Sequence, residues 1–456
     1  MSRLNVTSFL AEGKFTPFHF WMLFWACVII TFDMYDLVIF GSVLPVLMTD
    51  WGITPAQAGL VGSSGLFGMM VGAMVFGLLA DRFGRRNILI ASIVMFSVAT
   101  VLCAVAPGPA VFGGLRFIAG LGIGGILPTI IAMLTDYAPK RLANTFVAIV
   151  MSFFSVGGIL AALVAMVVIP RFGWQATYYV AAIPLLLLPL MLPYFADSPA
   201  VLLATGRGNR LHAILERIAP GKVSPVTELV AVSEAPVDAA AVKRSPLAAL
   251  FTDGRALATL MVWVAFFMCL LMVNGLNTWL PGLMVNAGYA LTAGLTFMAT
   301  MNIGAIIGTL TLGRLADKLG VKKVLVPMFL VAGISIIALG YGNSFAMLIA
   351  LVFIAGACTM GAQNISYAFV SQYYPSHIRS TAIGMASGIG RLGAIGGPTF
   401  GGLLLSMGVS SQMNFLFFAI PGFIAAAAFL LVPLGRRQAP SAPATPDVNT
   451  PAPTTV

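Results

Sequence analysis

Four ionisable side chains stand inside stretches that are otherwise apolar: Asp33 and Asp36 in the first such stretch, Arg116 in the fourth and Arg391 in the eleventh. Asp33 and Asp36 are three residues apart, so on a helix they share one face. Burial and a second negative charge favour the protonated carboxyl, a neighbouring arginine favours the ionised one, and a change in hydration moves the balance. Such a pair can take up a proton and give it back. Arg391 offers different chemistry. Its planar guanidinium matches a carboxylate in two-point contact, and no acidic residue of the C-terminal half lies at its depth, since Asp317 falls in a loop. An anionic ligand would balance it. Each reading has a plainer alternative: a static ion pair of the acids with Arg116, and a carbonyl-bonded or capping role for Arg391. Asn274, Asn277, Gln363 and Asn364 are candidate polar wall residues around such a ligand, and Tyr35, Trp279 and Tyr367 are candidates to stack on a ring.

The elements that must position these residues follow from composition. Of 456 residues 59% are hydrophobic and 8% charged, where a soluble domain carries about 25% charged. Apolar runs of about 20 residues recur, enough to cross a ~30 Å hydrocarbon core as helix. Their number against loop signals predicts twelve helices. Nearly all of the 24 Lys and Arg fall in the tails or in every second loop, the exceptions being Arg116, Arg171 and Arg391. By the positive-inside rule both termini and the long central loop are then cytoplasmic, and the net charge of +10 reports topology, not a nucleic-acid partner. The first run is too long for a signal peptide and contains two Asp, so it is a retained helix. Cys27, Cys103, Cys269 and Cys358 have no metal-ligand spacing and read as packing residues.

With that topology the first helix runs outward and the fourth inward. Arg116 then lies about 9 Å below the outer face at 1.5 Å per residue, level with Asp36. A charge at a helix centre costs roughly 2.5–3.5 kcal/mol on insertion scales, so all four should face a cavity and find partners.

The chain is internally duplicated. GLLADRFG at 77–84 returns 236 positions on as GRLADKLG at 313–320, and the same offset carries Pro45 onto Pro281, Gly68 onto Gly304, Gly72 onto Gly308, FIAG at 117–120 onto FIAG at 353–356, and Tyr137 and Pro139 onto Tyr373 and Pro375. Six helices per half give both halves one orientation, a parallel repeat about an axis along the membrane normal. Two such bundles can rock about a cavity between them. The duplicated loop comprises Gly77, Asp81, Arg82, Gly84, Arg85 and Arg86, with Gly313, Asp317 and Lys318 in the second copy. Its Asp suits a neighbouring helix N-terminus, where the dipole favours an anion. Together with Arg379 at the cytoplasmic start of helix 11, it reads as gating machinery.

That loop and its duplicate, with Arg116-x-x-x-Gly120-x-Gly122-x-Gly124 in helix 4, resemble the major facilitator superfamily over nearly all of residues 18–435. Helix 5 has Gly157-Gly158 but lacks the Gly-Pro carried there by the superfamily's drug antiporters. Within the superfamily the chain resembles the aromatic acid:proton symporters, benzoate permeases above all. The residues are Asp33-x-x-Asp36-Leu37 with Gly41 and Pro45, Tyr137-Ala138-Pro139-Lys140, Phe172-Gly173-Trp174, Thr278-Trp279-Leu280-Pro281, Arg379-Ser380-Thr381, Gly390-Arg391-Leu392-Gly393 and Gly397-Pro398. Met34 stands where that family usually has Gly, Asp136 where Glu is common, and Asp197-Ser198-Pro199 in place of Glu-Ser-Pro.

The expectation is therefore an all-α membrane protein of twelve transmembrane helices in two pseudo-symmetric six-helix bundles. Residues 1–17 are a cytoplasmic tail, 18–196 the first bundle, 197–256 a linker with a short amphipathic helix near 209–218, 257–435 the second bundle and 436–456 a disordered tail. The resemblance implies a secondary transporter of the cytoplasmic membrane, functional as a monomer and without cofactor. It would import an aromatic monocarboxylate such as benzoate with protons, by alternating access. Asp33, Asp36 and Arg116 would couple the proton and Arg391 would meet the anion. The rivals are another organic acid (hydroxybenzoate, protocatechuate or muconate) and a membrane-embedded sensor or enzyme, for which the chain offers neither a signalling domain nor a clustered nucleophile or metal site.

Overall fold

The computed structural model describes residues 3–204, 206–220, 228–230, 246–252, 254–342 and 344–433. A short strand β1 (Arg3–Asn5) and helix α1 (Val6–Ala11) precede α2 (Pro17–Trp51), α3 (Pro55–Phe83), α4 (Arg85–Cys103), α5 (Pro109–Tyr137), α6 (Ala143–Phe172), α7 (Gln175–Tyr179) and α8 (Ala182–Met191). The connecting region holds α9 (Pro199–Ala204), α10 (Gly208–Ile218), β2 (Glu228–Val230) and α11 (Pro246–Ala249). The second half comprises α12 (Ala256–Asn286), α13 (Leu291–Leu319), α14 (Val321–Leu339), α15 (Phe345–Tyr373), α16 (Ser376–Ser406) and α17 (Ser411–Leu431).

Ten of these helices are long and apolar enough to cross a membrane. The other two of the twelve spans are α16, 31 residues long and carrying Arg379 and Arg391, and the broken pair α7–α8. Pro184 explains the break: it has no N–H to donate, and its ring crowds the carbonyl four residues back at Val180, the C-cap of α7.

The duplication is visible as repeated contacts. A Cβ on Gly68 would collide with the Phe117 carbonyl, and one on Gly304 with the Phe353 carbonyl; Gly72 meets Leu121 as Gly308 meets Ala357. All four pairs obey the 236-residue offset, so α3 packs on α5 as α13 packs on α15. The loop glycines repeat too, Gly84 at φ +88° and Gly320 at φ +98°, a backbone region that favours glycine. Beyond them Arg86 Nη2 donates to the Leu192 carbonyl at 3.4 Å, and Lys322 Nζ donates to the Leu430 and Val432 carbonyls at 2.9 and 2.5 Å. In each half a cation at the start of the third span grips the end of the sixth.

The tail and connecting region are more ordered than the sequence suggests. β1 pairs in parallel with β2, Arg3 opposite Glu228 and Asn5 opposite Val230. α10 covers the stretch read as amphipathic and buries Leu211, Leu215 and Ile218 in one cluster with Val6, Leu10 and the first bundle. Residues 221–227, 231–245 and 436–456 of the expected linker and tail lie outside the described residues.

Candidate functional site

Halfway along α2, Asp36 is 2% exposed and fully engaged. Arg116 Nη1 of α5 donates to its Oδ2 at 2.7 Å and to its backbone carbonyl at 2.9 Å, while Thr100 Oγ1 of α4 donates to its Oδ1 at 2.6 Å. The Arg116 guanidinium lies 5.4 Å from the centroid of the Phe40 ring, a cation–π contact. Asp36 and Arg116, placed level by the depth of their helices, are thus brought together, with Thr100 as a third member that sequence reasoning missed. A Thr in an apolar helix usually bonds its own backbone and raises no signal.

Asp33, one turn away and 1% exposed, differs. Its Oδ2 has no hydrogen-bond partner, and no cation among the described residues lies within ion-pair distance of it. Arg391 lies on α16 of the opposite bundle. Arg391 is half-buried and likewise has no carboxylate within ion-pair distance among the described residues. Tyr367 sets its ring against Phe266 at 5.1 Å and points its hydroxyl at Ser387 Oγ, 3.5 Å away. Asp33 and Arg391 are thus two ionisable groups inside membrane-spanning helices of different bundles, neither of them in an ion pair among the described residues.

The other wall candidates divide. Asn277 is 6% exposed with a partnerless Oδ1, Asn274 Nδ2 bonds the Leu270 carbonyl at 3.0 Å, Gln363 is half-buried, and the exposed Asn364 bonds Thr309 Oγ1 at 3.1 Å. Tyr35 and Trp279 are buried with their polar atoms bonded to backbone carbonyls. Tyr35 is wholly buried and its hydroxyl donates to the Thr177 carbonyl at 2.6 Å; Trp279 is 1% exposed and its Nε1–H donates to the Pro398 carbonyl at 2.8 Å. Each sits two residues past a site candidate, and residues two apart on a helix point in different directions. Met34 is also turned away, packed on Gly157 of α6, where a Cβ would stand 2.9 Å from the Met34 Cβ. The bulk introduced at the family's glycine position goes into the space left by a second glycine.

The bundles meet along the half farther from the termini. There Gly41 of α2 lies against Asn277 and Thr278 of α12, Gly59 and Gly62 of α3 against Pro398 of α16, and Gly402 against Pro55. Ser63 Oγ reaches the Ile395 carbonyl at 2.6 Å and Thr399 Oγ1 at 2.7 Å. Towards the other end, Gly77, Gly313, Gly384 and Gly388 would meet no atom within 4 Å of a Cβ. Among the described residues the close inter-bundle contacts of these glycines thus gather at the end away from the start of α2 and the finish of α17.

At the end where α2 begins, Asp197 sits under the N-terminus of α4. Its Oδ1 accepts the Arg86 N–H at 3.0 Å and fills the place of a Cβ on Gly84, while its carbonyl accepts the Tyr137 hydroxyl at 2.6 Å. Arg85 pairs with Asp136. The side chains of Asp81 and Arg82 lie outside the described residues, and the carboxylate found at this helix N-terminus is Asp197, which the sequence reading did not single out for that role. Asp317, Lys318 and Arg379 are exposed.

Residues 26–307 and 296–455 match the family model of the Major Facilitator Superfamily. The chain is 36% identical to a benzoate transport protein of Acinetobacter baylyi, covering 100% of this chain and 98% of that one. It is 34% identical to a gentisate transporter of Corynebacterium glutamicum, covering 88% and 84%, and 31% identical to the 4-hydroxybenzoate transporter PcaK of Pseudomonas aeruginosa, covering 94% and 96%. Among solved structures it superposes with TM-score 0.71 and 18% identity on a bacterial homologue of the human lysosomal transporter Spinster, over 92% of this chain and 98% of that one. A D-xylose–proton symporter gives TM-score 0.69 and 18% identity over 91% and 97%.

Proposed function

The chain belongs to the Major Facilitator Superfamily, and from that premise we propose that it is a proton-coupled symporter importing an aromatic monocarboxylate, benzoate first. It is a multi-pass membrane transporter, not an enzyme. The names of its relatives, benzoate, gentisate and 4-hydroxybenzoate transporters, support the substrate class. The observation that carries the chemistry is a pair of buried acids one turn apart on α2, Asp36 fully hydrogen-bonded by Arg116 and Thr100 and Asp33 with a partnerless oxygen.

The basic loops support placing the termini in the cytoplasm. In the proposed cycle the outward-facing carrier takes a proton at the acid pair of α2, and the anion meets Arg391. The bundles rock, and cytoplasmic water releases both. Uptake of labelled aromatic and aliphatic acids by cells expressing the protein tests this reading. Benzoate uptake that collapses with a protonophore is expected, whereas equal uptake of aliphatic acids, or indifference to the protonophore, defeats it. A second reading, a hydroxylated benzoate, is supported by the gentisate and 4-hydroxybenzoate transporters among the chain's relatives. The same panel separates the two.

A further inference from the structure

We propose that Arg86, Arg210 and Arg217 form a binding site for a phosphate group, in a cavity between the linker helix α10 and the end of the sixth span. The site is separate from the transport machinery and uses none of the membrane-embedded charges.

The pattern of α10 builds it. Leu211, Leu215 and Ile218 recur at helical spacing and are buried in one cluster with the first bundle. That face seats the helix. Arg210, Ala213, Ile214 and Arg217 recur at the same spacing on a different face, and all four line a cavity of about 210 Å³. The two arginines stand about 10 Å apart along the helix axis at 1.5 Å per residue. Ala213 between them takes little of the space. Across the cavity are Leu192 and Pro193, just past the end of α8, and Arg86 of α4.

The donors outnumber their partners. A guanidinium carries five N–H donors. Arg86 gives Nη2 to the Leu192 carbonyl at 3.4 Å, and Arg217 gives Nη1 to the Pro193 carbonyl at 3.2 Å. Arg86 Nε is buried with no hydrogen-bond partner. The Arg210 guanidinium makes no hydrogen bond or ion pair among the described residues. Asp197 also lines the cavity, but its Oδ1 is already held by the Arg86 N–H. Three cations against one anion leave a charge of +2. A carboxylate ligand would bring one charge and two oxygens. A phosphate brings up to two charges and more oxygens, and guanidinium forks bind it two atoms at a time.

Two sources of phosphate reach this place. Leu186 and Leu190, one turn apart on α8, are 74% and 58% exposed, and the cavity opens just past the end of that helix. A phospholipid covering those leucines would set its headgroup at the arginines, as basic pockets at a membrane surface do with anionic lipids. A soluble phosphate would meet the same donors from water. Either occupant would fasten α10 to the end of the sixth span.

The test follows thermal unfolding of purified, delipidated full-length protein in detergent at constant ionic strength. Phosphatidylglycerol, phosphatidylcholine or inorganic phosphate is added. The midpoint should rise with phosphatidylglycerol, with inorganic phosphate or with both, and not with zwitterionic phosphatidylcholine. A rise with phosphatidylglycerol alone identifies a lipid headgroup, and a rise with inorganic phosphate a soluble ligand. Arg210 and Arg217 are exposed, so Arg210→Gln combined with Arg217→Gln should leave the fold intact. It should weaken the apparent affinity by about tenfold or more, through loss of charge-assisted bonds. Arg210→Lys combined with Arg217→Lys keeps the charge without the fork and should restore only part of it. Lys14→Gln combined with Lys140→Gln removes two exposed cations outside this cavity and should change nothing. The site is overturned if neither phosphate source raises the midpoint, or if phosphatidylcholine does so equally. It is also overturned if the lysine pair matters as much as the arginine pair, which would leave general attraction to a basic surface.

Discussion

Gly158 of α6 and Asn302 of α13 meet across the bundle interface so closely that a Cβ on Gly158 would overlap the Asn302 carboxamide. Asn302 is fully buried; its Nδ2 bonds the Met298 carbonyl at 3.0 Å, and its Oδ1 has no partner. The contact joins two bundles that must move relative to one another, and only glycine permits it. Gly158→Ala should overpack this conformation by about 1–3 kcal/mol and slow uptake with expression retained. Adding Asn302→Ala should recover much of the rate. If the double variant transports no better than the single one, the contact does not set the inter-bundle packing.

The buried pair of Asp36 and Arg116 makes a prediction about stability. Asp36→Asn leaves a guanidinium uncompensated in the first bundle and should destabilise the purified protein by about 3–5 kcal/mol. Replacing both residues by neutral amides should cost clearly less. Thermal unfolding in detergent reports both, and equal losses in single and double variants would contradict this.

Asp197 caps α4 from outside the helix, accepting the Arg86 N–H beside Gly84. Asp197→Ala should cost about 1 kcal/mol, the ordinary worth of a lost N-terminal cap. It should slow transport without changing which acids compete for uptake. An altered order of competing acids would place Asp197 near the substrate, contrary to its position at the far end of the bundle.

Arg391 should be required for binding and not for folding. Arg391→Lys keeps the charge but loses the planar fork and should weaken apparent affinity substantially, while Arg391→Ala should abolish measurable binding in a protein that still inserts. Benzamide, neutral and of similar shape, should compete poorly with benzoate. Tight binding of benzoate by Arg391→Ala would show that the arginine does not hold the ligand.

Much of this was legible in the sequence because membrane insertion penalises isolated charge. Asp36 and Arg116 had to face inward, and counting 1.5 Å per residue along antiparallel helices put them level. The duplicated glycines were legible as an offset and became duplicated helix crossings. What escaped were features without a periodic signal. Three-residue strands such as β1 and β2 leave no alternation to detect. Asp197 caps a helix more than a hundred residues earlier in the chain. Asn302 sits mid-span and was open to the same rule as the charges, since a buried amide also needs a partner. The backbone partners of Tyr35 and Trp279, Thr177 and Pro398, lie more than a hundred residues away in the chain and gave no local signal.

In the proposed cycle an aromatic carboxylate and a proton bind together, the anion at Arg391 and the proton at the acid pair of α2. The most direct measurement is proton uptake when purified protein is mixed with benzoate at neutral pH in weakly buffered solution, followed with a pH-indicator dye. The account predicts that the medium turns alkaline by about one proton per benzoate bound, the stoichiometry that leaves the buried site without net charge, and that Asp33→Asn takes up none. Benzoate binding with no proton uptake by the wild type, or with uptake undiminished in Asp33→Asn, would contradict it.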